Sequence, residues 1–339
     1  MKLFKKKKYR EEEYMYSSAK LASMSRSLIG DDSLVSLCSC DSAEKMFERL
    51  PEFGIHPEYT GSRPDIEKTL TLYLAGRYSE LAGFLPDSEP AEIMRSRYDC
   101  HNLKAAIKCR VLGIPAEPFF ISCGSVSPQK IEAMTESGDY SSLSPAFAEA
   151  AAAAREAADA LAPARYSDAL LDRACFANMK DAADRLGCEP VSSLLSFKAD
   201  LTNFVTALRI LRMKNPNAAG EMKNDSFVPG GKIDSALFAG VSGASEAFSL
   251  LGRVLSEAEA ERLAPAVSAG DVDRIGAEAD RLFLRRAAEF CRRRLIGIYP
   301  VIDYMIKLEY GQKNLRIIYY GLESGKSGPS IGEELRLIV

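Results

Sequence analysis

Two short stretches decide how this chain is read: Asp99-Cys100-His101-Asn102-Leu103 and, 101 residues later, Asp200-Leu201-Thr202-Asn203-Phe204. Each sets an acid three places before an amide, and residues three apart are neighbours on a helix face. An apolar residue follows five places after each amide, at Ile107 and Leu208. A third copy, Gly311-Gln312-Lys313-Asn314-Leu315, lies 111 residues further on, with glycine in place of the acid. Downstream of the first two copies a glycine opens a short helical pattern, in Cys123-Gly124-Ser125-Val126 and in Gly230-Gly231-Lys232-Ile233. Self-similarity at a fixed period marks a repeat architecture. Units of about 100 residues are of ordinary subdomain size. The expected division is 1–118, 119–220 and 221–339, each a helical repeat.

An acid and an amide on one helix face admit two readings. One is a general base held by the amide. The other is a buried polar pair that ties a loop or a neighbouring helix end. A single active site needs one copy, whereas three related copies read as architectural joints. Asp99, Asn102, Asp200, Asn203 and Asn314 are the expected joint residues.

Outward from these motifs the helix signals dominate. Pro90 stands where a first-turn proline is tolerated, and Gly113 and Pro115 close that run. Ser144-Pro145 opens another helix, and Pro190 opens one that carries Leu194, Leu201, Phe204, Leu208 and Leu211. Asp41-Ser42-Ala43-Glu44 and Ser256-Glu257-Ala258-Glu259 have the form of capping boxes. Asp271 to Gly297 reads as one long helix, restarted at Pro300. Phe119-Phe120-Ile121 and Ile317-Ile318-Tyr319-Tyr320 are β-prone but short and isolated, so the expected fold class is all-α with no sheet. Asn215 to Gly231, rich in Asn, Gly and Pro, is the expected flexible connection.

Composition narrows the function classes. The 339 residues carry 44 basic and 47 acidic side chains, a net charge of −3, which argues against a nucleic-acid binder held by a positive field. There are only two histidines, His56 and His101, so acid–base or metal chemistry built on imidazole has little material. Eight cysteines include no Cys-x-x-Cys pair, and Cys38 and Cys40 with His56 lack the second close pair of a zinc site. Reduced, packed thiols are expected, with no metal and no cofactor. The start, Met1-Lys2-Leu3-Phe4-Lys5-Lys6-Lys7-Lys8, is basic but leads into no apolar stretch, unlike a secretory signal. No run approaches the ~18–20 apolar residues of a transmembrane helix. Work at a membrane would therefore be done by docking on other proteins, because lysines alone give only a weak attraction of ~1 kcal/mol per charge.

Two further motifs receive structural readings. Gly321-Leu322-Glu323-Ser324-Gly325-Lys326-Ser327 resembles a phosphate loop but has three residues between its glycines where the motif needs four, so a helix-to-helix turn is expected. Arg281, Arg285, Arg286, Arg292, Arg293 and Arg294 crowd one helix, with Glu278 and Glu289 spaced to pair with some of them. Arg285, Arg286, Arg292 and Arg293 are the candidate partner-facing surface.

Several motifs carry a resemblance when taken in order. They are Tyr14 to Leu28 with Tyr16 and Arg26, Asp99-x-x-Asn102-Leu103-Lys104, Gly124-x-Val126-x-Pro128 and Asp168-Ala169-Leu170-Leu171-Asp172. After these come Asp200 through Asn203 to Leu208-Arg209, Gly230-Gly231-Lys232-Ile233, Pro300-x-x-x-Tyr304 and Asn314-Leu315-Arg316. The sequence resembles the C-type subunits of archaeal and bacterial V/A-type ATP synthases, the counterparts of the d-type subunit of the eukaryotic V-ATPase. The resemblance implies an all-α funnel of three similar subdomains around a pseudo-threefold axis, with Arg316 part of the third joint. It implies a non-catalytic place on the cytoplasmic side of the membrane, peripheral to it through the complex. The implied partners are the central shaft subunits D and F, the membrane proteolipid ring and the membrane stator subunit. Gly311 departs from the family pattern, and neither the alanine run 150–154 nor the lysine-rich start is one of its signatures. Two readings from other classes stand beside it: a helical adaptor unrelated to ATPases, and a helical enzyme with a carboxylate or cysteine site.

Overall fold

The structure, a computed structural model, describes residues 9–337 apart from 216–218, 221, 223–224 and 293. Its helices run α1 Met15–Met24, α2 Asp31–Leu37, α3 Ala43–Glu48, α4 Ile66–Ala82, α5 Glu89–Leu112, α6 Pro128–Ser137, α7 Pro145–Asp159 and α8 Ala164–Leu186. They continue with α9 Glu189–Leu211, α10 Ser235–Gly240, α11 Ala244–Leu251, α12 Glu257–Ala269, α13 Val272–Arg292, α14 Ile298–Glu323 and α15 Gly328–Glu334. The fold is all-α. Among the described residues the only β-structure is a two-residue antiparallel ladder, Tyr59–Thr60 against Arg63–Pro64. It amends the expectation of no sheet, and it forms because Gly61 adopts φ +64° and turns the chain back on itself.

The chain divides into two compact units, Glu89–Ala279 and Arg10–Ser88 with Asp280–Val339. In the first, α5, α6, α7 and α8 bury one cluster built on Leu103, Ile107, Ile131, Phe147, Ala151 and Leu171. Alanines at 151 and 154 are fully buried, so the alanine run lets α7 pack closely where it faces that cluster. In the second, α2, α3, α4, α14 and α15 share a cluster with Leu34, Met46, Phe47, Leu70, Leu315, Ile318 and Ile331.

Local chemistry sets the boundaries. Ser127 caps α6 by accepting from Lys130 N, with Pro128 in the first turn. Ser256 and Glu259 form the reciprocal capping box at the start of α12. Asp41 does not cap α3: Ser42 does, at 3.3 Å from Lys45 N, while Asp41 pairs with the Lys45 ammonium. Gly187 ends α8 in the left-handed region at φ +68°. The pattern from Asp271 to Gly297 is broken: α13 stops at Arg292 and α14 begins after Gly297, whose φ of +95° a side chain would strain. Ile317 to Tyr320 lie within α14, and Phe119 ends a 3-10 turn, Glu117–Phe119. Part of the Asn215–Gly231 connection and all of Met1–Lys8 lie outside the described residues.

Candidate functional site

Asp99 and Asn102 sit one turn apart on α5, and both are buried. Asn102 Oδ1 accepts from Ile121 N at 2.9 Å and its Nδ2 donates to Ile121 O at 2.9 Å, so one amide holds both polar groups of one backbone residue. Asp99 Oδ2 accepts from Ser125 N and Oδ1 from Val126 N, each at 3.0 Å. One turn earlier, Arg95 Nε donates to Cys123 O at 2.9 Å, and its guanidinium also reaches Gly124 O. A single helix face thus grips the N–H and C=O groups of residues 121–126. Burial pushes the Asp99 carboxyl above the usual carboxylate range, opposed by the two backbone N–H groups and by the Arg95 charge.

The second copy repeats the pattern on α9. Asn203 Oδ1 accepts from Val228 N at 2.8 Å and Nδ2 donates to Val228 O at 2.9 Å. Asp200 Oδ2 accepts from Lys232 N and Oδ1 from Ile233 N, each at 3.1 Å. Asp200 and Asn203 have no exposed surface. Glycine is required in both loops by close approach: a Cβ on Gly124 would fall 2.2 Å from Asp99 Oδ1, and one on Gly231 would fall 2.2 Å from Asp200 Oδ1.

In the third copy Asn314, on α14, makes the same paired contact with Arg336, accepting from its N at 2.7 Å and donating to its O at 2.9 Å. No carboxylate accompanies it. Gly311 stands there, and a Cβ at that position would meet Ile29 Cγ2 at 3.3 Å, so a methyl group occupies that side of the helix. Arginine holds the segment instead. Arg281 Nε donates to Leu335 O at 3.0 Å and its guanidinium also reaches Glu333 O. The Arg336 side chain lies 3.6 Å from Asp280. Arg316 takes no part in that contact: its Nε lies 2.8 Å from Glu67 Oε2, in a solvent-facing ion pair.

The arginine-rich stretch divides. Arg285 and Arg286 are half-buried on α13, Arg292 is exposed, and Arg293 lies outside the described residues. Gly321 to Glu323 end α14, and Ser324 to Ser327 form the turn to α15: Ser327 caps α15 and Lys326 Nζ pairs with Glu334 at 2.6 Å. All eight cysteines are free thiols. Cys100 is pushed well up by its hydrogen bond with Cys175 and by burial, and Cys291 is pushed up to about 12 by burial, which leaves both poor nucleophiles at neutral pH. Among the described residues no three His, Cys, Asp or Glu side chains converge as a metal site, and no helix is long and apolar enough to cross a membrane.

The family model of the ATP synthase (C/AC39) subunit matches residues 17–333, a span that contains Asp99, Asn102, Asp200, Asn203 and Asn314. The chain belongs to this family. Three A-type ATP synthase C subunits align with nearly all of this C/AC39 chain. That of Thermococcus gammatolerans is 24% identical, over 95% of this chain and 90% of its own length. Those of Pyrococcus abyssi and Pyrococcus horikoshii are 20% and 21% identical, over 94% and 95% of this chain and 89% and 90% of theirs. Sequence reasoning missed Arg95, Asp280 and Ile29, and named Arg281 only among the arginines of one helix. The one usable signal was the spacing of Arg95 four residues before Asp99, which puts both on one helix face.

Proposed function

We propose that this C/AC39 family member is the non-catalytic central-stalk subunit of a rotary V/A-type ATPase, joining the rotor shaft to the membrane proteolipid ring. In this reading it receives shaft subunits D and F, rests on the ring at the cytoplasmic face, passes near the membrane stator subunit and transmits torque. The three repeats, 1–118, 119–220 and 221–339, are its subdomains. The observation that carries the reading is what the repeated polar residues do. Asp99 and Asp200 each have both carboxylate oxygens on backbone N–H groups of their own loop, and the three amides each clasp one backbone residue. Buried carboxylates that accept from two backbone N–H groups each serve to hold their loops, and ties of this kind stiffen a body that must carry load.

Reconstitution of the complete ATPase into vesicles, with and without this subunit, tests the proposal. Hydrolysis by the other subunits is expected to continue without it, and ATP-driven ion uptake to stop. Full uptake in its absence would overturn the connector reading. Uptake and hydrolysis lost together would support the enzyme reading instead.

A further inference from the structure

Three sulfur atoms meet where α5 packs against α8, in a place the joints do not use. Cys175 and Met179 stand four residues apart on α8 and so share a face. Cys175 Sγ lies 4.0 Å from Met179 Sδ. Opposite them on α5, the Cys100 thiol is hydrogen-bonded with Cys175. Cys100 Sγ also lies 3.4 Å from Leu171 O and 3.8 Å from Asp172 Oδ1. Cys100 and Cys175 are 4% and 5% exposed, and Met179 packs half-buried against the same apolar cluster.

Polarisable sulfur donors select soft ions, and two thiols beside a thioether suit monovalent copper. Metal–sulfur bonds of about 2.3 Å put the sulfurs of a three-coordinate ion about 4.0 Å apart. Cys175 and Met179 have that spacing. Zinc takes four donors, and among the described residues no three His, Cys, Asp or Glu side chains gather here. We propose that Cys100, Cys175 and Met179 form a binding site for Cu(I). On binding, the S–H bonds of both cysteines break, the electron pairs stay on sulfur and the two protons pass to water. Copper stays monovalent throughout, so nothing is oxidised or reduced. The groups that Cys100 leaves lose little, because Leu171 O belongs to the ladder of α8 and Asp172 Oδ1 keeps Lys104 Nζ at 2.7 Å. The charge of Lys104 also acts on Cys100, and it offsets the single negative charge of a Cu(I) dithiolate. Met179 lines a cavity of about 50 Å³ between α8, α9 and the turn at Pro229 and Gly230, which gives an ion an approach from the thioether side. Cys38 and Cys40 offer no equivalent: the Arg49 guanidinium lies 3.9 Å from Cys40 Sγ, and a fixed cation there repels a metal ion. The copper site goes beyond the connector role and stands independently of it.

Anaerobic titration of the full, reduced chain with Cu(I), in competition with the chelator bicinchoninate, tests this. The parent is expected to keep a single Cu(I) against the chelator, to melt at a higher temperature with it, and to bind it more tightly as pH rises, since thiolates replace thiols. Groups that only support a ligand change metal affinity about 10–100-fold, so Cys100→Ala and Cys175→Ala, which remove ligands, should each weaken binding at least about a hundredfold. Met179→Leu keeps the volume and should weaken it about tenfold, the neutral thioether being the weaker donor. Cys109→Ala removes a buried thiol nine residues along α5, on its opposite face, and should leave binding unchanged. Circular dichroism checks that each variant is folded, and where a cysteine variant is not, Met179→Leu decides. Copper surrendered by the parent, undiminished binding in a folded cysteine variant or in Met179→Leu, or an equal loss in Cys109→Ala would each overturn the proposal. None of these results touches the connector reading.

Discussion

The loops at residues 121–126 and 228–233 are held by an acid and an amide, the first by Arg95 as well, while the segment at 333–336 is held by an amide and arginine with no acid from the asparagine's helix. All three share the asparagine. Its side chain both donates and accepts, so it satisfies the N–H and the C=O of one residue and carries no charge into a buried place. The carboxylate appears only where two N–H groups converge on it. They converge only because Gly124 and Gly231 lack a Cβ, which would fall 2.2 Å from the carboxylate oxygen. Where that loop geometry is absent, Gly311 replaces the acid and Ile29 packs there. The amide is therefore the tie, and the acid reinforces it where the local backbone provides donors.

Removing the amide should have the largest effect. Asn203→Ala orphans Val228 N–H and C=O in buried surroundings and should cost about 2–6 kcal/mol, at ~1–3 kcal/mol for each unsatisfied group. Asn314→Ala, where the contact is only part-buried and water can substitute, should cost about half as much. Denaturant unfolding of both variants measures the difference, and a larger loss at Asn314 would invert the comparison.

The glycines sharpen it. Gly124→Ala and Gly231→Ala push a methyl into a carboxylate oxygen and should each cost about 1–3 kcal/mol. Gly311→Ala meets only the methyl end of Ile29. There the gain of ~0.5–1 kcal/mol from replacing glycine within a helix should leave stability within about 0.5 kcal/mol of the parent. Three equal melting temperatures would mean that the loops are not held as described.

A smaller effect depends on pH. The folded-state pKa of Asp99 is raised by burial, so its contribution to stability is complete below the ordinary carboxylate pKa and is lost as pH rises through the raised value. Asp99→Asn removes that titration. Unfolding free energies across that window should shift in favour of the variant as pH rises, and a constant difference would refute the burial argument. The smallest effect lies away from the joints. Lys326→Ala breaks an exposed ion pair with Glu334 and should change stability by less than about 0.5 kcal/mol. Neither parent nor variant should show saturable ATP binding by calorimetry.

Much of this was legible in the sequence because the joints use short-range spacing. The acid and amide three apart, with a glycine downstream, marked Asp99, Asp200 and their loops, and the prolines and serines placed most helix starts. The third joint was only half legible. Asn314 is visible by repetition, but Arg281 and Asp280 come from a different helix, and no local pattern links them to Arg336. The resemblance put Arg316 in the third joint through the run Asn314-Leu315-Arg316, yet two places along a helix point it to a different side, where it meets Glu67. The α13–α14 break was hidden because Arg294 to Gly297 continue an apolar and basic pattern that a helix would accept. The chain turns there at Gly297, whose conformation the pattern does not record.

The hooks also bear on how the chain reaches its native state. Each asparagine captures backbone 19, 25 or 22 residues further along. Closing loops of such similar length differs by only about 0.2 kcal/mol in chain entropy. No joint must wait for another, and each encounter falls within the sub-microsecond to microsecond range of loop closure. The three ties are thus suited to form early and in any order, and they give an otherwise long chain short, separate folding steps.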